Sequence, residues 1–479
     1  MHRPDAAIFD VLGPGLEEAV VDYARARMNL DPAPLDGTAA PAELARQAGR
    51  TITPDGVGGL AALRVFDEVL SRACISADHP RNLAFIPAAP TRASILFDLV
   101  VGASSIYGGS WLEGSGAVHA ENEALRWLSD LVGFPPRAGG TFVQGGTVGN
   151  LSALVAARHA ARARRVALGL PLPARWCFLC GAEAHSSLRQ AAEVMDVDLV
   201  FVPADGGGRL TGAAVAAALD AHSLDPVEGA ATGRNAPGTG VFAVVATAGS
   251  TQFGIVDDIR GIVDAAHARD VWVHVDGAYG LAGIASPSVR HLFAGVGATD
   301  SFIVDPHKWL FAPFDACALV YRDPATARLA HAQQAGYLEV LDRDSAWNPS
   351  DYQIGLSRRV RGLPFWFSLA TYGTQAYGRA VERCLATARA AADLVRELPY
   401  AELVREPELS IVVLRRLGWS PPDYHRWSEC LLRSGLAFVT PTVHNGETVT
   451  RFAIVNPRTT SDDVRRILAT MADDALPTY

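Results

Sequence analysis

The sequence predicts an α/β fold: a large, mostly parallel sheet covered by helices, with a helical arm ahead of it and a smaller α/β unit behind. Three observations carry that prediction. Short runs rich in Val, Ile and Phe recur through the middle of the chain without a long alternating polar face, as strands buried on both sides do. Amphipathic helical stretches separate these runs, as crossovers between parallel strands require. One strand also passes through a glycine-rich turn straight into a helix.

Taken in order, residues 1–75 read as helical, because LEEAVVDYARARM (16–28) and GLAALRVFDEVLSRAC (59–74) repeat apolar residues every three or four positions. NLDPAPLDGTAAP (29–41) is a proline-rich connector between them. This arm, residues 1–89, is of a kind that packs on a partner subunit. The large unit spans 90–365. In it AVHAENEALRWLSDLVGF is a helix closed by Gly133, with Pro135 and Pro136 beyond. TFVQ is a strand that enters GGTVGN and the helix LSALVAARHAARARRVAL. The strands RWCFLC, DLVFVPA, VFAVVATAG, VWVHVDGAY, SFIVDPHKW and CALVYRD follow, with a flexible loop at 228–240 feeding the strand at 241. The smaller unit, 366–479, opens with a long helical stretch that begins at Leu363 and runs to Leu398. Two strands around the Asn445-Gly446 turn come next, and TTSDDVRRILATMADD is a capped final helix.

Composition narrows the function. The chain has 479 residues, 49% of them hydrophobic and 19% charged, which fits a globular enzyme. Its net charge is −9 with arginines scattered among acids, which argues against nucleic acid as a partner. MHRPDAAIFDVLGPG lacks the apolar core of a signal peptide, and no apolar run reaches membrane-spanning length, so the expectation is a cytoplasmic protein without a membrane partner. The six cysteines form no disulfide framework. Cys177 and Cys180 lie three apart on a strand, facing opposite sides, which disfavours a shared metal; no metal site is expected.

Lys308 is the only lysine among 42 Lys and Arg residues. Arg stays charged, whereas a lysine amine can lose its proton and attack a carbonyl, so a surviving lysine points to chemistry. Two further features sit at strand ends beside it. The turn Gly145-Gly146-Thr147-Val148-Gly149 offers bare amides at a helix N-terminus, a phosphate cradle or simply a packing turn. Asp276 ends an apolar strand, where an acid caps a helix, holds a metal or faces a cationic ring. Cradle, acid and amine together suit pyridoxal 5′-phosphate, whose phosphate, pyridine nitrogen and aldehyde need those three partners.

At these residues the chain resembles the group II pyridoxal-phosphate-dependent amino-acid decarboxylases, the family of aromatic-L-amino-acid, glutamate and histidine decarboxylases. The likeness runs from DHPRNLAFIPA (78–88) to RFAIVNPRTT (451–460) through GGTVGNLSALVAAR, AHSSLRQAAEVM, HVDGAYG, DSFIVDPHKW and LSRRVRGLPFW. It implies the aspartate-aminotransferase type of fold (pyridoxal-phosphate fold type I) and a homodimer with its active sites at the subunit interface. It also implies roles: Lys308 forms the Schiff base, Asp276 pairs with the pyridine nitrogen, and Ala278 and His185 lie on opposite ring faces. Gly146, Thr147 and His307 would contact the phosphate. Ser250 would lie near the cofactor oxygen, a place Thr251 could share. Arg358, Arg359 and Arg361 stay outside the catalytic set, since a solvated charge run explains them as readily.

Two departures from the family matter. In LDRDSAWNPSDYQIGLSRR, Pro349 falls where the aromatic-acid enzymes carry a loop tyrosine linked to Cα protonation, and Tyr352 falls at a usual tryptophan. Either Tyr352 or His185 supplies the proton, or the carbanion reacts with oxygen to give an aldehyde. The stretch HPRNLAFIPAAP is less aromatic than usual, yet Phe85, Ile86 and Pro87 still suggest an apolar substrate-pocket wall. The expectation is decarboxylation of an aromatic or bulky apolar L-amino acid. Another fold-type-I pyridoxal reaction, or an inactive cofactor-binding regulator, are the alternatives.

Overall fold

The apolar runs form strands because β-branched and aromatic side chains fit a pleated surface covered on both faces. In a computed structural model of the chain, which describes residues 14–87, 89–222, 239–333 and 346–472, seven of them make one sheet. They are β1 (Gly139–Val143), β2 (Arg175–Gly181), β3 (Asp198–Val202), β4 (Thr239–Thr247), β5 (Trp272–Asp276), β6 (Ser301–Val304) and β7 (Cys317–Tyr321). Their order is β1-β7-β6-β5-β4-β2-β3. Only β7 runs against its neighbours β1 and β6; β2, β3, β4, β5 and β6 pair in parallel. Six strands therefore end at the same edge, where ligands of open parallel sheets gather.

Helices flank this sheet and precede it. The arm holds α1 (Leu16–Met28), α2 (Pro41–Ala48) and α3 (Gly59–Val65). The connector expected at 29–41 is present, but α2 after it is an addition. Next come α4 (Arg92–Ser104), α5 (Trp111–Val132), α6 (Gly146–Ala167), α7 (Ser187–Met195), α8 (Gly212–Ala221), α9 (Ile259–His267) and α10 (Pro324–His331). Gly133 closes α5 at φ 80°, a left-handed conformation that glycine adopts freely. The loop expected at 228–240 falls mostly outside the described residues, and β4 begins at Thr239.

The long helical stretch is two helices, α11 (Leu363–Tyr372) and α12 (Thr374–Arg396), because Gly373 at φ 75° breaks the run. A second, antiparallel sheet follows, ordered β10-β11-β9-β8. It contains β8 (Ala401–Leu403), β9 (Ile411–Arg416), β10 (Pro441–His444) and β11 (Glu447–Ala453), with α13 (Pro421–Arg433) and α14 (Ser461–Ala469) beside it. Asn445 and Gly446, at φ 49° and 79°, make the hairpin turn. Thr460 and Asp463 cap α14 reciprocally.

The two sheets share one apolar core. Val244, Val273 and Phe302 of the large sheet belong to the same buried cluster as Val381 and Leu385 of α12 and Val412 and Phe452 of the small sheet. Residues 81–83 join the small sheet as well: Leu83 N–H donates to Phe438 O, and Leu83 O accepts from Ala453 N–H. Among the described residues no helix is long and apolar enough to cross a membrane.

Candidate active site

The ends of β1, β2, β4, β5 and β6 and the start of α6 converge on a cavity of about 290 Å³. Gly146 and Thr147 open α6 just beyond β1, where the first amides have no partner in their own helix. The cradle is tight: a Cβ on Gly146 would lie 3.2 Å from Ile303 Cδ1 and 3.3 Å from Ala278 Cβ, so those side chains would have to give by a few tenths of an ångström. Asp276 ends β5 and is nearly buried. Its Oδ2 accepts from Asn150 Nδ2 at 2.9 Å and its Oδ1 from the Ala278 N–H at 3.2 Å.

Lys308 lies just past β6, and its Nζ is 3.1 Å from Asp305 Oδ2. Burial pushes the ammonium down, but Asp305 and Asp276 outweigh it and leave the pKa above the usual lysine value. Asp305 Oδ1 is buried with no hydrogen-bond partner among the described residues. His307 faces the cavity with Nδ1 against Ala316 at 2.8 Å, and burial lowers its pKa despite nearby Asp305. His185, reached from β2, stands at the cavity wall with Ala278.

The structure thus brings Lys308, Asp276, His185, Gly146, Thr147, Ala278 and His307 to one cavity. Ser250 does not line the cavity. It is buried in the turn after β4, where its Oγ accepts from the Ile255 N–H; Thr251 is the residue on the cavity wall. Phe85, Ile86 and Pro87 are not on that wall within one chain. Pairing with the small sheet holds them away: Arg451 donates to Phe85 O at 2.7 Å, and the exposed Phe85 ring meets Phe438 edge-on.

Tyr352 is also away from the cavity. Its ring stacks on Trp347 at 4.2 Å, and burial pushes its hydroxyl up to about 12. Pro349 is buried in the short turn that ends at Tyr352, while residues 334–345 before it lie outside the described residues. Arg358 is structural: it forms a buried bidentate pair with Glu121 at 2.7 and 2.9 Å. Arg359 pairs with Asp98, and Arg361 with Asp315. Cys177 and Cys180 are buried, and burial pushes both thiols up to about 12. Sequence reasoning missed Asn150 and Ser187, which line the cavity, and His274, which stands behind Asn150; Asn150 ends the GGTVGN turn, but nothing in one dimension shows what its amide meets.

A larger opening of about 760 Å³ lies between the arm, Phe311 and α12; it shares only Phe314 with the cavity and contains no lysine. The smaller cavity fits pyridoxal phosphate by its donor set: amides in a cramped cradle, a carboxylate held as an acceptor, and one amine.

Comparison with known proteins agrees. Residues 63–416 match the model of the pyridoxal-dependent decarboxylase conserved domain. An aromatic-L-amino-acid decarboxylase of Bacillus atrophaeus is 27% identical over 403 residues, covering 82% of this chain and 80% of that protein. An L-2,4-diaminobutyrate decarboxylase of Rhizobium meliloti (strain 1021) is 29% identical, covering 88% and 83%. A crystal structure of Oryza sativa TDC with PLP and tryptamine superposes with a TM-score of 0.85 at 24% identity over 98% of both chains, which shows a shared fold.

Proposed function

The chain belongs to the pyridoxal-dependent decarboxylases, and on that premise we propose that it converts an aromatic or bulky apolar L-amino acid to its amine and carbon dioxide. Pyridoxal phosphate supplies the sink for the electron pair left when the Cα–carboxylate bond breaks. The protein's own groups do the rest. Amides of Gly146 and Thr147, with His307, would hold the phosphate at the start of α6. Asp276 would keep a proton on the cofactor's ring nitrogen, and Ala278 and His185, both on the cavity wall, would confine its ring. Lys308 would be the amine that holds the cofactor's aldehyde, and it is the amine in the cavity that could carry a proton to Cα.

The observation that carries this reading is the single lysine, 3.1 Å from Asp305, in the cavity it shares with Asp276 and the glycine cradle. The aromatic preference is supported by the likeness to the aromatic-L-amino-acid decarboxylase of Bacillus atrophaeus and opposed by the likeness to the L-2,4-diaminobutyrate decarboxylase of Rhizobium meliloti. Lys308→Arg keeps the charge but not the chemistry, and turnover is expected to fall at least ~10³-fold. Full turnover in that variant would end the reading.

One observation favours a second reading. Tyr352 is stacked in the core and Pro349 is buried beside it, so neither donates a proton in the cavity. Where Cα is not protonated, the electron pair left by decarboxylation can instead reduce oxygen; amino acid, oxygen and one water then give an aldehyde, carbon dioxide, ammonia and hydrogen peroxide. We also infer a homodimer, in which a second copy covers exposed Leu96, Leu99 and Val100 of α4.

A further inference from the structure

Behind the cavity a hydrogen-bond chain runs from β5 to the histidine on its wall. Trp272 Nε1–H donates to Ser301 Oγ at 2.9 Å, and Ser301 Oγ lies 2.8 Å from His274 Nδ1. His274 Nε2 is 2.9 Å from Asn150 Oδ1. The Asn150 amide nitrogen donates to Asp276 Oδ2 at 2.9 Å and to Ser187 Oγ at 3.1 Å. Ser187 Oγ is in turn 2.9 Å from His185 Nδ1. Asn150, Ser187, His274 and Ser301 are all buried.

Three members of this chain allow one role only. An indole N–H and a backbone N–H can only donate, and an ionised carboxylate can only accept. Asp276 therefore turns the amide nitrogen of Asn150 towards itself, which leaves Asn150 Oδ1 facing His274. His274 Nε2 must then carry a proton. Burial pushes the pKa of His274 down to about 4, so the ring is neutral and its Nδ1 takes the Ser301 hydroxyl proton.

The other end is fixed in the same way. The backbone N–H of Ser187 points at His185 Nδ1 at 3.2 Å. The Ser187 hydroxyl, already accepting from Asn150, directs its own proton to the same nitrogen. Charging the His185 ring would put a proton on Nδ1, against two donors. Its one proton belongs on Nε2.

We infer that this chain fixes His185 as a neutral Nε2–H hydrogen-bond donor to the cofactor or substrate rather than as the acid that protonates Cα, with Ser187 and Asn150 as its positioning residues. The identity of what Nε2–H meets rests on the proposed function; the tautomer does not. The test is nitrogen-15 spectroscopy of the full chain labelled at histidine, cofactor-free and cofactor-loaded, with His185→Gln to assign the signal. A protonated Nε2 and bare Nδ1 in both forms are expected, and a proton on Nδ1 in either form would overturn the inference. Since the cofactor-free spectrum already reports the tautomer, this result is independent of any activity.

Kinetics give a second readout. Gln retains an N–H near the Nε2 position but cannot act as an acid, so His185→Gln should lower kcat ~10-fold, against ~10²–10³-fold for His185→Ala. Equal losses in the two variants would restore His185 as the proton source. Asn150→Leu removes both donated bonds and should raise the cofactor dissociation constant ~10–100-fold; an unchanged constant would remove Asn150 from the positioning role.

Discussion

Lys308 carries the most information of any residue in the chain, because composition isolates it and the fold then surrounds it with acids. The structure adds what the sequence did not show: Asp305, rather than Asp276, is the acid 3.1 Å from the amine. That contact has a pH consequence. With a raised pKa, Lys308 stays protonated through neutral pH, and its neutral fraction grows about tenfold per pH unit below the pKa. Asp305→Asn removes the largest opposing charge while burial persists, so the midpoint should move down. Labelling of the cofactor-free chain by a small amine-directed reagent, followed by peptide mass spectrometry, reads this directly because no other lysine competes. Faster modification of Lys308 in the variant between pH 7 and 9 is expected; equal or slower modification would mean Asp305 does not hold the ammonium. Ser250 and Thr251 show the limit of one-dimensional reading. Both stand in the turn after β4, and only the backbone path decides which side chain reaches the cavity.

At the level of elements, strands and the glycine turn were legible because period and composition are local properties. The ends of β5 and β6 and the Asn-Gly hairpin fall where the sequence puts them, while α6 begins at Gly146, within the glycine turn, rather than after it at Leu151. Pairings between distant segments were not legible, since they depend on which edges meet in space. Residues 81–83 joining the small sheet are one case, and they carry Phe85 away from the cavity. Arg358 is another: the sequence left it open between a surface charge and a functional group, whereas α5 supplies Glu121 as its buried partner. Glu121 Oε1 also accepts the Gly362 N–H at 2.8 Å, tying the start of α11 to α5. Removing one partner strands a buried charge, so Glu121→Ala should destabilise the fold by ~3–5 kcal/mol. The urea midpoint reports this; a shift equivalent to less than ~1 kcal/mol would show that Arg358 finds solvent or another partner.

At the scale of the molecule, one continuous core joins the two sheets, while the arm and α4 present apolar residues outward. Val20, Val21, Leu60, Phe66, Leu96, Leu99 and Val100 are all exposed in a single chain. A surface of that kind is expected to be covered by a second copy. Sedimentation at micromolar concentration should give twice the mass of one chain, and Leu99→Asp should shift the population towards the monomer. A monomeric wild-type protein would contradict the dimer. The central claim is decarboxylation, and product analysis tests it most directly. The cofactor-loaded chain would meet individual amino acids with and without oxygen, and the products would be identified by mass spectrometry. An amine and carbon dioxide in equal yield under both conditions are expected, with an aromatic or bulky apolar substrate preferred. An aldehyde formed only when oxygen is present, or no loss of carbon dioxide from any amino acid, would contradict it.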